Sequence, residues 1–261
     1  MPTFLIVNDD GVDSPMLRPM VQALGELGDV CVAVPSQEQS WRGKAMTRFG
    51  HVEVAERKEF GVPTFAIGGT PSDCVNLALH HLFPTRPDWV ISGINIGSNT
   101  GLAFALNSGT IGAAIEGALL GLPSLAFSTL LTPEMFKHWL RERVLPGAMG
   151  AEILASNSAR MAAMVKTLLA TGLPPGAQLL NVNFPGVVTL ETPVRWVPMQ
   201  DNRYGSLFKR KGEVFVHGHG EGLRVIPGPT SDRDVVGAGE ISVTALSMNG
   251  LSLSAPDVSP F

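Results

Sequence analysis

Hydrophobic and polar positions fall into short apolar runs that alternate with amphipathic stretches. Thr3-Phe4-Leu5-Ile6-Val7 is a β-branched and aromatic run that predicts a buried strand, and it stops at Asn8-Asp9-Asp10-Gly11. Met16, Leu17, Met20, Val21, Leu24 and Leu27 then form an apolar stripe at helical spacing, with Ser14 as the expected cap and Pro15 in the first turn. Pro19 lacks a backbone donor, so it either sits in the first turn or kinks the helix. Asp29 to Pro35 predicts a second buried strand, and this strand-helix-strand unit implies a parallel, right-handed connection.

Polar and Gly-rich sequence from Pro35 to Gly50 predicts a loop over the carboxyl edge of the sheet. His51 to Arg57 alternates weakly, and Pro63 to Ile67 reads as a short strand. Thr70, Pro71 and Asp73 mark a helix start, from which Val75, Ala78, Leu79 and Leu82 are expected to face the core. Asp88 to Ser92 predicts a buried strand that runs into a loop from Gly93 to Gly101. Ser108-Gly109-Thr110 opens a second capped helix, with Ile111, Ile115 and Leu119 repeating every four residues; Gly121 ends it and Pro123 to Ser128 is the next strand.

Strands alternating with helices in this way predict a Rossmann-like, three-layer, doubly wound α/β fold with a mostly parallel sheet. Beyond Thr132 the pattern is less regular. Glu152 to Leu169 predicts a long helix and Gln178 to Phe184 a strand. Short candidates at Val194 to Val197, Glu213 to His217 and Ile241 to Leu246 suggest a β-rich extension used in oligomer formation. The expected organisation is one domain over 1–261, with a core in 1–132 and an arm plus closing strands in 186–246.

Lys and Arg total 19 against 23 Asp and Glu, a net charge of −4, so no global basic field draws the protein to long nucleic acids or anionic membranes. A small anionic substrate therefore needs a local device. Cys31 and Cys74 lie in apolar stretches and read as buried thiols. The long uncharged stretch from Trp89 to Ile115 is studded with Gly, Asn, Ser and Thr, unlike a membrane span, and the strand directly after Met1 does not resemble a signal peptide. These features lead to the expectation of a soluble, cytoplasmic protein.

Adjacent carboxylates at the end of an early strand are costly unless a cation or hydrogen bonds stabilise them. Asp9 and Asp10 read either as part of a solvated Asp-Gly turn or as half of a divalent-cation site. Ser40, after the second strand, and Asn95, after the strand near Val90, emerge at the same edge of a parallel sheet. Together these oxygen donors suit Mg²⁺ or Mn²⁺. The Ser108-Gly109-Thr110 helix start reads either as an ordinary cap or as a phosphate site built from amide and hydroxyl donors. "NDDGVDSPM" stands where a dinucleotide fingerprint would be, and no Gly-Lys-Ser/Thr phosphate loop follows, which disfavours both of those sites. His80 and His81 point apart on a helix; His217 and His219 could share a strand face, a pair more often structural than metal-binding. Trp41 and Arg42 flank Ser40 and read either as substrate contacts or as loop anchors.

An ordered set of motifs goes further. "FLIVNDDGVDSP" at 4–15, "AVPSQEQSWRG" at 33–43, "GGTPSDCVNLAL" at 68–79, "PDWVISGINIGSNTG" at 87–101 and "SGTIGAAIEGALLGLPSLAFS" at 108–128 resemble the SurE family of survival-protein acid phosphatases with 5′/3′-nucleotidase activity. "LLNVNFP" at 179–185 and "SDRDVVGAGEISVTAL" at 231–246 extend the resemblance almost to the end. It implies that Asp9, Asp10, Ser40 and Asn95 ligate one divalent cation per subunit. It also implies that Asn99, Ser108, Gly109 and Thr110 form the phosphate side, that nucleoside monophosphates are the substrates, and that the protein is a homodimer or homotetramer. The sequence departs from many relatives at Trp41-Arg42-Gly43-Lys44 and at Asn107, which bears on substrate preference.

The expected reaction is hydrolysis of nucleoside 5′-monophosphates, and of 3′-monophosphates, with Asp9 and Asp10 as catalytic residues. A water oriented by Asp9 attacks phosphorus, or Asp9 itself attacks and forms an aspartyl phosphate; the residues leave both open. Alternative readings are a hydrolase of short polyphosphate or other small phosphomonoesters, and a nucleotide-binding protein without catalysis.

Overall fold

The structure, a computed structural model, describes residues 1–218 and 222–251. In chain order its elements are β1 (Thr3–Val7), α1 (Leu17–Gly25), β2 (Asp29–Pro35), β3 (Val54–Arg57), β4 (Thr64–Ile67) and α2 (Pro71–Leu77), which runs into a π turn at Ala78–Leu82. Next come β5 (Trp89–Ile96), α3 (Leu102–Ala105), α4 (Gly109–Leu119), β6 (Ser124–Thr129), α5 (Pro133–Glu142), α6 (Gly147–Thr171) and β7 (Leu179–Phe184). The remainder comprises β8 (Val194–Trp196), β9 (Asn202–Arg203), β10 (Phe208–Lys211), β11 (Val214–His217), β12 (Arg224–Val225), α7 (Asp232–Gly237) and β13 (Ile241–Leu246).

Among the described residues nine strands make one sheet in the order β3-β4-β2-β1-β5-β6-β7-β13-β8. From β4 to β7 all neighbours are parallel, whereas β3 and β13 join antiparallel to β4 and β7. Alternation along β1 builds the two faces. Phe4 and Ile6 enter a core that includes Met20 and Leu24 of α1 and Met161 and Val165 of α6; Leu5 and Val7 enter one with Cys74 and Val75 of α2 and Ala113 of α4. This is the three-layer, doubly wound α/β arrangement. Cys31 and Cys74 are free and buried, and burial pushes the Cys31 thiol up to about 12. No helix among the described residues is long and apolar enough to cross a membrane.

Several local expectations change. Ser14 does not cap α1: the helix begins at Leu17 without a side-chain cap, and Pro19 falls in its first turn, where a missing donor costs no helical bond. Thr70 and Asp73 do form a reciprocal capping box, but Leu79 and Leu82 beyond it are only half-buried. On α4, Leu119 is exposed. The helix instead packs through small residues, since a Cβ on Gly117 would come within 2.7 Å of Val90 Cγ2. The predicted loop after Ser92 is strand as far as Ile96, because Asn95 and Ile96 pair with Ser128 and Thr129 after a register shift. The helix α5, which the less regular pattern after Thr132 did not predict, lies over the same edge of the sheet. After β7, β10 and β11 form an antiparallel hairpin and β9 pairs with β12.

Candidate active site

The strand order reverses about β1, with β2 and β4 on one side and β5, β6 and β7 on the other. Open α/β sheets receive ligands in the crevice at such a reversal, outside the carboxyl ends of the strands. Val7 pairs with Ser92 there, so the segment after β1 meets the end of β5. Asn8 shapes that segment: its Oδ1 accepts from Gly11 N at 3.1 Å and its Nδ2 donates to Gly11 O at 2.9 Å. Gly11 has φ +90°, a conformation that favours glycine.

Between these residues lie Asp9, 4% exposed, and Asp10, 8% exposed. Thr110 donates its hydroxyl to Asp9 Oδ1 at 2.6 Å, and Ile96 N donates to Asp10 Oδ2 at 3.1 Å. Among the described residues no Lys or Arg forms an ion pair with either carboxylate. Burial therefore dominates: it raises the Asp9 carboxyl to about 6 despite the bonds from Thr110. Burial, reinforced by the charge of Asp9, carries Asp10 well above the usual carboxylate range.

Two buried carboxylates that no Lys or Arg among the described residues pairs with are what a bound cation would stabilise, and the neighbouring donors are oxygens. Asn95 donates Nδ2 to Gly97 O at 2.6 Å, which turns Oδ1 away as a remaining acceptor. Ser40 is exposed at the rim, with its backbone N–H bonded to Glu38 Oε1 at 2.9 Å. No group of three or more His, Cys, Asp or Glu that could hold a metal occurs among the described residues, so the available set is two carboxylates with a hydroxyl and an amide oxygen. That chemistry fits a hard divalent ion.

A cleft of about 690 Å³ lies over this edge. Of the residues singled out from the sequence, Asp9, Ser40, Asn95, Asn99 and Ser108 line it. Asp10, Gly109 and Thr110 do not, but each touches a lining residue. Ser108 caps α4 by accepting from Ile111 N at 3.2 Å, which leaves its hydroxyl hydrogen free to donate. Gly109 is required for closeness: a Cβ there would sit 2.8 Å from Asp9 Cβ. Thr110 directs its hydroxyl to Asp9 rather than into the cleft. Asn99 is tied down on three sides, through N–H to Asn183 Oδ1, Nδ2 to Ser128 Oγ, and O from Asn181 Nδ2.

Sequence reasoning missed three contributors. Phe136 of α5 forms part of the wall. Arg233 is the one cationic side chain lining the cleft among the described residues. Asp232 accepts from Gly101 N and Gln200 N at 2.8 and 2.9 Å, fastening the loop that carries Asn99 to the chain before β9. A signal for the last two existed: Ser231 and Asp234 form a capping box, and its Ser-x-x-Asp spacing marks a helix start. Trp41 also lines the cleft and His217 packs against it, whereas His219 lies outside the described residues.

The family described as Survival protein SurE matches residues 4–206. A relative from Methanococcoides burtonii named 5′-nucleotidase SurE is 32% identical over 253 residues, covering 95% of this chain and 94% of its own. One of the same name from Methanocella arvoryzae is 37% identical over 191 residues, 73% of this chain and 69% of its own. The crystal structure of the SurE protein from Aquifex aeolicus superposes with a TM-score of 0.72 at 29% identity, covering 97% of this chain and 95% of that one.

Proposed function

The chain belongs to the survival protein SurE family, and from that premise we propose that it is a metal-dependent phosphomonoesterase acting on nucleoside 5′-monophosphates, and on 3′-monophosphates, to release nucleoside and phosphate. The observation that carries this reading is the pair of buried carboxylates, without an ion pair among the described residues, set against the amino terminus of α4 at the reversal of the sheet.

Asp9, Asp10, Ser40 and Asn95 would hold one Mg²⁺ or Mn²⁺ per subunit. When bound, such an ion supplies Lewis acidity at a phosphoryl oxygen and charge to balance the carboxylates. The chain does the rest. The Ser108 hydroxyl and the Gly109 N–H, at the start of an eleven-residue helix, donate to the equatorial oxygens as charge grows on them. Asn99 holds the adjoining wall. Arg233 attracts the dianionic substrate into a cleft whose other charged lining residue is Asp9. With Oδ1 engaged by Thr110, Oδ2 of Asp9 accepts the hydrogen bond that orients the attacking water. The water oxygen forms the new bond to phosphorus and passes a proton to Asp9 Oδ2, which returns it to solvent, while the ester P–O bond breaks with its electron pair on the sugar oxygen, which takes a proton from solvent.

Phosphate release is to be measured from 5′- and 3′-nucleoside monophosphates, short polyphosphate and an aryl phosphate, each with Mg²⁺, Mn²⁺ or chelator. Nucleotides are expected to turn over only with a cation, and Asp9→Asn to lose at least about a hundredfold. Release from none of them would end the enzyme reading; tight nucleotide binding without release would identify a binding protein, and release from polyphosphate alone the other hydrolase. We also propose a homodimer or homotetramer built through the hairpin of β10 and β11, where Phe208, Val214 and Phe215 are exposed. A monomeric mass in solution at micromolar concentration would exclude it.

A further inference from the structure

The cleft has an aromatic wall that the phosphoryl chemistry does not use. Trp41 and Phe104 both line it, with ring centroids 6.0 Å apart and planes at 76°. His217 also meets the indole, with ring centroids 4.7 Å apart and planes at 61°. Neither contact is a parallel stack, so among the described residues no neighbouring ring covers the indole face to face.

Trp41 is held in place at some cost. Its φ of +63° is uncommon for any residue with a side chain. The segment beside it is fixed: Gly43 N donates to Asn107 O at 2.9 Å, and Lys44 Nζ pairs at 2.5 Å with the buried Glu116, which Asn76 also bonds at 2.9 Å. Phe104 is supported in turn by Tyr204 at 6.0 Å, and the Tyr204 hydroxyl accepts from Asn107 Nδ2 at 2.8 Å. Both rings are half-buried. A strained, braced aromatic pair facing a cleft is a preorganised surface for a flat apolar group.

We propose that Trp41, with Phe104 beside it, is the nucleobase platform of the cleft: the base stacks on the indole while the phosphate lies at Asp9 and Ser108. This rests on the phosphomonoesterase reading, and it names the part of the substrate that the reading leaves open. A cleft of about 690 Å³ is large enough for a whole nucleotide. Every base has a π face, so the platform accepts all of them and favours purines, whose larger rings cover more of the indole.

The test compares wild type, Trp41→Ala and Trp41→Phe on AMP, CMP and ribose 5-phosphate. Trp41→Ala is expected to raise KM for AMP roughly tenfold, with a smaller rise for CMP, while KM for ribose 5-phosphate moves less than about twofold and kcat is nearly unchanged. Trp41→Phe, which keeps an aromatic face, restores most of the AMP affinity and serves as the folded control. Equal changes for AMP and ribose 5-phosphate, or none for either, overturn the platform. A second readout does not depend on turnover: AMP quenches intrinsic tryptophan fluorescence in wild type, and Trp41→Phe removes that quench although AMP still binds. Undiminished quenching in Trp41→Phe overturns the proposal, whereas quenching lost in Trp41→Phe without phosphate release in any protein keeps the platform and rejects the hydrolase.

Discussion

Thr110, the second residue of α4, donates its hydroxyl to Asp9 Oδ1 at 2.6 Å across 101 residues of sequence. This bond ties the first strand's carboxylate to the helix start and fixes which oxygen of Asp9 remains for ligands. A group that orients a metal-binding carboxylate typically changes affinity or activity by ten- to a hundredfold when removed. Thr110→Val keeps the shape and deletes the donor. It is expected to raise the half-saturating Mn²⁺ concentration by roughly tenfold or more, and Thr110→Ser should recover most of the loss. Unchanged metal dependence in Thr110→Val would show that Asp9 needs no such support.

In chelator, the two carboxylates predict an unusual pH dependence. Burial raises Asp9 to about 6 from an ordinary carboxyl value of 3.8, and Asp10 is also raised. Ionisation is therefore disfavoured in the folded state relative to the unfolded chain. For Asp9 the resulting loss of stability is complete above about pH 6 and disappears as pH falls toward the unfolded value. Cation-free protein should become more stable from pH 7 to pH 5, and the double variant Asp9→Asn/Asp10→Asn should lack that gain. Denaturant midpoints with EDTA measure it; parallel curves for the two proteins would remove the electrostatic account.

The parts of this arrangement legible in sequence were those written locally. Apolar runs ending at Asp9 and near Val90 marked strands whose carboxyl ends share an edge, and Thr70 with Asp73 marked a helix start by its own spacing. Asn95 was expected in a loop because Gly93 and Asn95 are poor strand residues. Pairing with Ser128, a partner on β6, overrides that propensity. Leu119 fitted a four-residue repeat yet is exposed, because the small face of α4, with Ala113, Ala114 and Gly117, permits a closer approach to the sheet. Thr110 and Asp232 carry bonds to residues 101 and 131 positions away, and no local pattern encodes such pairings.

Asp232 gives the last prediction. Its carboxylate is buried and accepts three backbone N–H groups, from Gly101 at 2.8 Å, Gln200 at 2.9 Å and Arg233 at 2.8 Å. Burial still raises its carboxyl above the ordinary value, so the ionised form is disfavoured there and the benefit lies in the acceptors rather than the charge. Asp232→Ala leaves the Gly101 and Gln200 donors unpaired, a cost of about 3 kcal/mol. Asp232→Asn keeps one acceptor oxygen and should lose less. Gly101 also ends the loop bearing Asn99, so the Ala variant should weaken substrate binding while Asp9, held separately by Thr110, keeps its metal dependence. The urea midpoint, KM for AMP and half-saturating Mn²⁺ separate these effects: a fall in metal affinity as large as the change in KM would mean that the two halves of the cleft are not held independently.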